Sequence, residues 1–251
     1  MRNQLLVTAL FAFLAPAAQA AEADDAWLAW VGCWRAEGDS SERSLCIVPD
    51  GDGVRLITLN AGRVESESRI IADGKPRTLT QEGCTGTETS RWSADRQRVF
   101  LNADLNCGNN VMRHMSGVFA VLPGSQWASV QSVATGDAKR LHTVRYVEAA
   151  LTNLPDEIAR TFRDNRLARE TMRLSASSNL DLNDVKEAVS HLDVTVVEGW
   201  LTTIGQEFDL DARTLIDLAD AGVSTVLVSI VTTCLISIEV FEVSTSEPHV
   251  P

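Results

Sequence analysis

The five cysteines of this 251-residue chain, Cys33, Cys46, Cys84, Cys107 and Cys234, are its most reactive side chains, open to thiolate chemistry, metal binding or disulfide formation. Their spacing decides among these. None stands in a C-x-x-C pair, and the nearest histidine is His114, seven residues beyond Cys107, so the pattern is not that of a zinc site. Cys33 and Cys46 are instead symmetric about Asp39-Ser40, inside the polar stretch 38–42, and Cys84 and Cys107 are symmetric about Asp95-Arg96, inside 94–97. Residues equidistant from a hairpin turn oppose one another on neighbouring strands, with Cβ atoms about 4.5–5.5 Å apart, near the spacing a disulfide needs. The spacing therefore predicts Cys33–Cys46 and Cys84–Cys107 bridges. Cys234 lies in an apolar run and reads as a buried thiol or an intermolecular partner.

Other chemistry-bearing residues are scattered. His114, His142, His191 and His249 have no metal-type partner at helical or strand spacing. Asp50-Gly51-Asp52-Gly53 opens like a calcium loop, but Val54-Arg55-Leu56-Ile57 reads as a strand and no Glu stands at the twelfth position, so a hairpin turn is expected. Glu65 and Glu67 share one face of a strand, an arrangement that general acid–base work can use and that exposed strands commonly show. The sequence contains no G-x-S-x-G, P-loop or G-x-G-x-x-G pattern. No catalytic residue, metal ligand or cofactor is assigned on this basis.

The elements that would position these residues fall into two kinds. Residues 1–20 have a basic start at Arg2, an apolar run from Leu5 to Leu14 and the small-x-small site Ala18-Gln19-Ala20, the layout of a secretory signal peptide. Export to the periplasm or beyond is expected. Residues 25–149 then read as short alternating strands, roughly Leu45–Val48, Val54–Asn60, Arg63–Ala72, Arg77–Gln81, Thr85–Trp92, Val99–Leu105, Val111–Leu122, Trp127–Val133 and Leu141–Val147. Turn residues separate them every 8–12 positions, the signature of an antiparallel sandwich or barrel. The fold class expected is α+β: an N-terminal antiparallel β meander followed by a separate all-α region.

Within Ala26-Trp27-Leu28-Ala29-Trp30-Val31-Gly32-Cys33-Trp34, the spacing of Trp27, Trp30, Val31 and Trp34 predicts a short amphipathic helix leading into the first strand. Gly32-Cys33-Trp34 is a G-x-W sequence, and through it residues 25–149 resemble the lipocalin-like β-barrels. That resemblance implies a tryptophan closing the barrel floor beneath an arginine from the last strand, a place suited to Arg145 or Arg140. It also implies that Trp34, Trp92, Trp127 and Arg145 line or floor the barrel, either around a small hydrophobic ligand or as filled core.

Residues 153–175 predict a helix, begun by Pro155 and the acids Asp156 and Glu157 and carrying Arg160, Arg163, Arg166, Arg169 and Arg173. Acids within a turn of these arginines predict a solvated, salt-bridged connector. Beyond it, Leu180-Asp181 aligns with Leu210-Asp211, Val196-Val197 with Val226-Leu227, and Trp200-Leu201 with Ile230-Val231, an internal repeat with a 30-residue offset. Each copy reads as a helix pair, Asp181 or Asp211 capping the first helix and Asp193 or Ser224 the second. Copy two carries Ala221-Gly222-Val223, and residues 180–231 thereby resemble a short bacterial acidic two-helix module, which implies an interaction or spacer role. The region 180–243 is expected to hold both copies and 244–251 to be a disordered tail. Residues 223–238 read as a packed amphipathic helix, with a closing strand or a membrane anchor as alternatives; no stable membrane span is expected.

The whole chain has net charge −12, which disfavours nucleic acid as a partner. Thirteen acids against Lys186 and Arg213 in residues 175–251 put −11 of it in the helical part, suited to a protein partner with a basic surface. Three functional readings follow: an exported, non-enzymatic interaction or binding protein; a carrier of a small apolar ligand in a lipocalin-like barrel; and a hydrolase assembled from scattered residues.

Overall fold

A computed structural model describes residues 24–206 apart from 110, 151–153 and 165, together with 208, 213, 216 and 220. The signal peptide, the second repeat copy apart from residues 213, 216 and 220, its caps Asp211 and Ser224, Cys234, residues 223–238 and the tail 244–251 lie outside the described residues.

Ten strands follow one another as β1 (Gly32–Ala36), β2 (Arg43–Asp50), β3 (Gly53–Asn60), β4 (Arg63–Ile70), β5 (Asp73–Gln81), β6 (Cys84–Trp92), β7 (Arg98–Asn106), β8 (Met112–Leu122), β9 (Gln126–Thr135) and β10 (Ala138–Glu148). They form one antiparallel sheet in the order β4-β3-β2-β1-β10-β9-β8-β7-β6-β5. Every neighbour is a sequence neighbour except β1 and β10, which pair through Trp34 and Glu148, Arg35 and Val147, and Ala36 and Tyr146. That short ladder curls the meander into a half-barrel whose free edges are β4 and β5. Between residues 154 and 206 the described residues form four helices: α1 (Asp156–Asp164), α2 (Arg166–Ala176), α3 (Leu182–His191) and α4 (Val194–Ile204). The fold is α+β, as the order of strand and helix patterns indicates.

Alternation along each strand sends every second side chain into the curl and the rest outward, and both faces bury side chains, though β4, β5 and β10 have none fully buried. Inside, Trp34, Ile47, Val54, Val99, Phe119, Val121 and Trp127 form one buried cluster. Outside β1–β3, Cys33, Cys46, Val48, Ile57 and Leu59 are buried under Ile158 and Phe162 of α1. Outside β7–β9, Phe100, Val118, Ala120 and Val130 are buried under Val185 and Ala188 of α3 and Val196, Val197, Trp200 and Leu201 of α4. Each such side chain contributes roughly 1.5–3 kcal/mol when removed from water, which holds α3 and α4 on the outer face of the sheet. A lone helix pair has nowhere else to bury its apolar stripe, and the outward apolar residues of β7–β9 supply the surface.

Polar latches fix these helices on the sheet. Arg98, only 3% exposed, pairs with Asp95 and with Asp184 of α3, and its guanidinium lies 5.6 Å from the Trp200 ring. Asp181 caps α3 as expected, accepting from the amides of Asn183 at 2.7 Å and Asp184 at 3.0 Å. Asp193 precedes α4 without capping it through its side chain. Its carboxylate turns to the sheet, accepting from Ser132 Oγ at 3.1 Å and pairing with Lys139 Nζ at 3.0 Å, while its backbone N–H donates to Ser116 Oγ at 2.9 Å. Tertiary partners thus outcompete the local cap.

The disulfides join Cys33 to Cys46 and Cys84 to Cys107. Cys33 and Cys46 are register partners of β1 and β2. Cys84 and Cys107 continue the β6–β7 ladder one step beyond the Thr85–Asn106 pair.

Two outcomes test these assignments. Replacing either cysteine pair by serine lowers stability by about 3 kcal/mol, with Cys84–Cys107 costing about half a kilocalorie more because its loop of 23 residues is longer than the 13 of Cys33–Cys46. Urea unfolding that is unchanged by loss of the bridges would contradict it. For Asp193, burial acts to raise the carboxyl pKa, but Lys139, Ser132 and the charge of His114 outweigh it and hold it below the ordinary value. A depressed carboxyl stabilises the fold above its unfolded pKa and loses that effect as pH falls through the folded one. The stability gap between wild type and Asp193→Asn is therefore full at neutral pH and closes below about pH 4. A gap independent of pH would show that the charge does not act.

Candidate functional site

The inside of the half-barrel divides into a filled floor and an open upper part. The floor is aromatic. A 3-10 turn, Asp25–Ala29, leads into Trp30 and Val31 before β1 begins at Gly32, so Trp27 and Trp30 sit below the sheet and Trp34 stands on the strand. The short helix expected ahead of the first strand is this 3-10 turn, and Trp34, the last residue of the predicted spacing, stands on β1, which pairs with β2 and β10. Trp34 Nε1 donates to the Trp30 carbonyl at 2.7 Å. Trp127 stacks on Tyr146 with centroids 4.1 Å apart and meets Phe119 at 5.3 Å and Trp34 at 6.4 Å edge-on. Trp92 packs on Trp27 at 4.6 Å and donates to Asp24 at 3.0 Å. Burial pushes the Tyr146 phenol above its usual pKa.

An arginine does lie against the G-x-W tryptophan, but it is Arg173 of α2, with its guanidinium 4.6 Å from the Trp34 ring. Arg145, placed there by the resemblance, points away and donates to the Thr203 carbonyl at the end of α4. Arg140 is exposed on β10. The reason is geometric: Arg145 pairs with Ala128, whose side chain faces out, whereas Tyr146 beside it faces in toward Trp127.

Arg173 donates to the carbonyls of Ala29 at 3.2 Å and Val31 at 3.0 Å and pairs with Glu148 at 3.4 Å. Arg169 donates to the Val31 carbonyl at 3.1 Å and to that of Phe162 at 3.1 Å. Both are 7% exposed, so the helix read as a solvated connector instead turns two of its five arginines inward. Burial, and then the adjacent Arg173 charge, lower the Arg169 pKa from its ordinary value. Gly32 makes the approach possible: a Cβ there would stand 2.9 Å from Arg173 Nη2 and 3.6 Å from Arg169 Nη1.

Above the floor is a cavity of about 630 Å³. Leu101 and Ala103 of β7 and Met115 and Phe119 of β8 form its apolar back wall. Ser66 and Ser68 of β4, Glu88 and Ser90 of β6 and Gln131 of β9 give it polar points. Trp34, Trp92 and Trp127 are not on its wall; they are the packed layer beneath, reached through Phe119. Phe119 is the single aromatic ring of this lining, so the tryptophan pattern of the sequence does not mark it. Its signal in the sequence was the inward phase of strands already recognised, which places Glu88 opposite Ala103 and Ser90 opposite Leu101.

The other candidates are engaged elsewhere. Asp50 and Asp52 form the β2–β3 turn and both pair with Arg69, at 2.8 and 2.7 Å. Glu65 pairs with Arg43 at 2.7 Å and Glu67 with Arg55 at 3.6 Å. His114 lies between Asp104, at 2.8 Å, and Asp193, at 3.5 Å. Among the described residues no three His, Cys, Asp or Glu side chains converge as a metal site.

No family model and no curated protein sequence matches the chain. Among solved structures it is similar to the apo lipid binding protein 8 of Caenorhabditis elegans, at 10% identity and a TM-score of 0.34, over 48% of this chain and 96% of that one.

The floor carries its own test. Arg173→Ala removes the cation over Trp34 and two buried hydrogen bonds, and lowers stability by about 3 kcal/mol in urea unfolding. Arg173→Lys recovers little of it, because an ammonium cannot reach two carbonyls and cover the ring together. A loss below 1 kcal/mol, about that of a surface site, would refute this role.

Proposed function

We propose that this chain binds a small, largely apolar molecule inside the curled sheet, as a carrier and not as a catalyst. The observation that carries the reading is the cavity of about 630 Å³ above a closed floor. Its size lies within the roughly 300–1,000 Å³ that small-molecule sites occupy, and an apolar wall with a few polar points is their usual lining. A fully packed small barrel would have its interior filled by side chains to the rim. Here serines, Ala103 and Gly117 leave the upper half unfilled.

An interaction role for the helical part has less to draw on, since the apolar stripes of α3 and α4 are already buried on β7–β9. Two disulfides suit an oxidising compartment, so the ligand would be met outside the cytosol. Among the described residues no helix is long and apolar enough to cross a membrane.

The uncharged dye N-phenyl-1-naphthylamine tests the reading, with its fluorescence gain and energy transfer from tryptophan as readouts. Binding is expected in wild type, and Ala103→Phe, which fills the back wall, weakens it about tenfold or more through lost space. Leu167→Ser, on the exposed face of α2, leaves it unchanged. A folded wild type without dye binding, or equal binding by folded Ala103→Phe, overturns the proposal.

A further inference from the structure

Resting on that carrier reading, we infer that the ligand's polar end is an amine, held as its ammonium by Glu88 inside the half-barrel. The cavity wall includes three ionisable residues, Glu67, Arg69 and Glu88. Two of them turn out of the curl. Glu67 and Arg69 are register partners of Ile57 and Arg55, and they find their ion pairs with Arg55 and with Asp50 and Asp52. Glu88 is in the inward phase, opposite Ala103. It is half-buried, and among the described residues no cationic side chain reaches it as an ion pair.

The strongest competing counter-ion is Arg77, its partner on β5. Arg77 is committed elsewhere: its terminal nitrogens bind both oxygens of Asp73, at 2.8 and 3.0 Å, and hold that carboxyl far below the usual carboxylate range. Burial raises the Glu88 pKa against the opposing pull of the Arg77 charge on the neighbouring strand, which makes no ion pair with it, so the anion in this place is under-compensated. A neighbouring depression, sharing Gln81 and Met115 with the cavity, contains Arg113, Arg140 and His142. Arg113 is paired with Glu82 at 2.8 Å, and Arg140 and His142 are exposed, where water screens them.

The remaining polar points, Ser66, Ser68, Ser90 and Gln131, are neutral and accept or donate as required. A ligand ammonium beside the half-buried Glu88 restores the missing counter-charge. A ligand carboxylate would put a second anion there, which like-charge repulsion disfavours. The apolar wall of Leu101, Met115 and Phe119 takes the hydrocarbon end.

The experiment displaces bound N-phenyl-1-naphthylamine with dodecylamine, dodecanol or dodecanoate at neutral pH, each below its micellar concentration. The amine is expected to compete about tenfold or more better than the carboxylate, with the alcohol between them. Glu88→Gln erases the amine's advantage while leaving dodecanol unchanged, and Glu88→Asp keeps part of it; thermal melting verifies that each variant is folded. Dodecanoate matching or exceeding dodecylamine, or an amine preference that survives in Glu88→Gln, overturns the inference while the carrier reading stands, provided the alcohol competes. If none of the three displaces the dye, the carrier reading falls and takes this inference with it.

Discussion

Two guanidinium groups converge on one backbone carbonyl, that of Val31, and the arrangement of the whole molecule follows from it. Arg169 and Arg173 reach that oxygen from successive turns of α2, and Arg173 also covers Trp34 and binds the Ala29 carbonyl. The chain before β1 must stop pairing so that β1 can join β2 on one side and β10 on the other, and its carbonyls are left below the sheet without ladder partners. Buried acceptors of this kind must be satisfied, and arginine, with several fixed donors, can satisfy them while closing the end of the curl. The helix after β10 is thereby brought back beneath the floor.

This closure divides the interior. Below, tryptophans 27, 30, 34, 92 and 127 with Phe119 and Tyr146 fill the space by edge and stacked contacts. Above, serines, Ala103 and Gly117 stand among the larger side chains and leave volume unfilled. The sheet's outer surface is equally divided, α1 covering β1–β3 and α3 with α4 covering β7–β9. The edges β4 and β5 are left as the side on which the cavity wall is thinnest, lined by residues of both strands. Strong packing at one end and unspent volume at the other is what allows a binding space in a sheet this small.

Much of the architecture was legible along the chain. Strand phase and turn residues located β2–β10, since alternation has a period of two whatever the strands pair with. The cysteine pairs followed from symmetry about reverse turns, which is a local property of a hairpin. Asp181 followed for the same reason: a cap and its amides lie within three residues. Local patterns did not foresee Arg173 in place of Arg145, Asp193 turned to Ser132 and Lys139, or the Arg-rich helix folded inward. In each case the winning partner lies far away in sequence, as Val31 does from Arg173 at 142 residues.

By itself, then, the sequence determined an antiparallel meander with two covalent ties, followed by helices, because these depend on periodicities and turn chemistry contained within a few residues. Which arginine meets Trp34, which face of the sheet receives α3 and α4, and that Glu88 faces an unfilled space with no ion pair among the described residues were decided only by the tertiary structure. Those outcomes depend on the curl of the sheet, set by three residue pairs between β1 and β10, and no local pattern carries the information about where a strand's inward face will find itself after the sheet has closed on it.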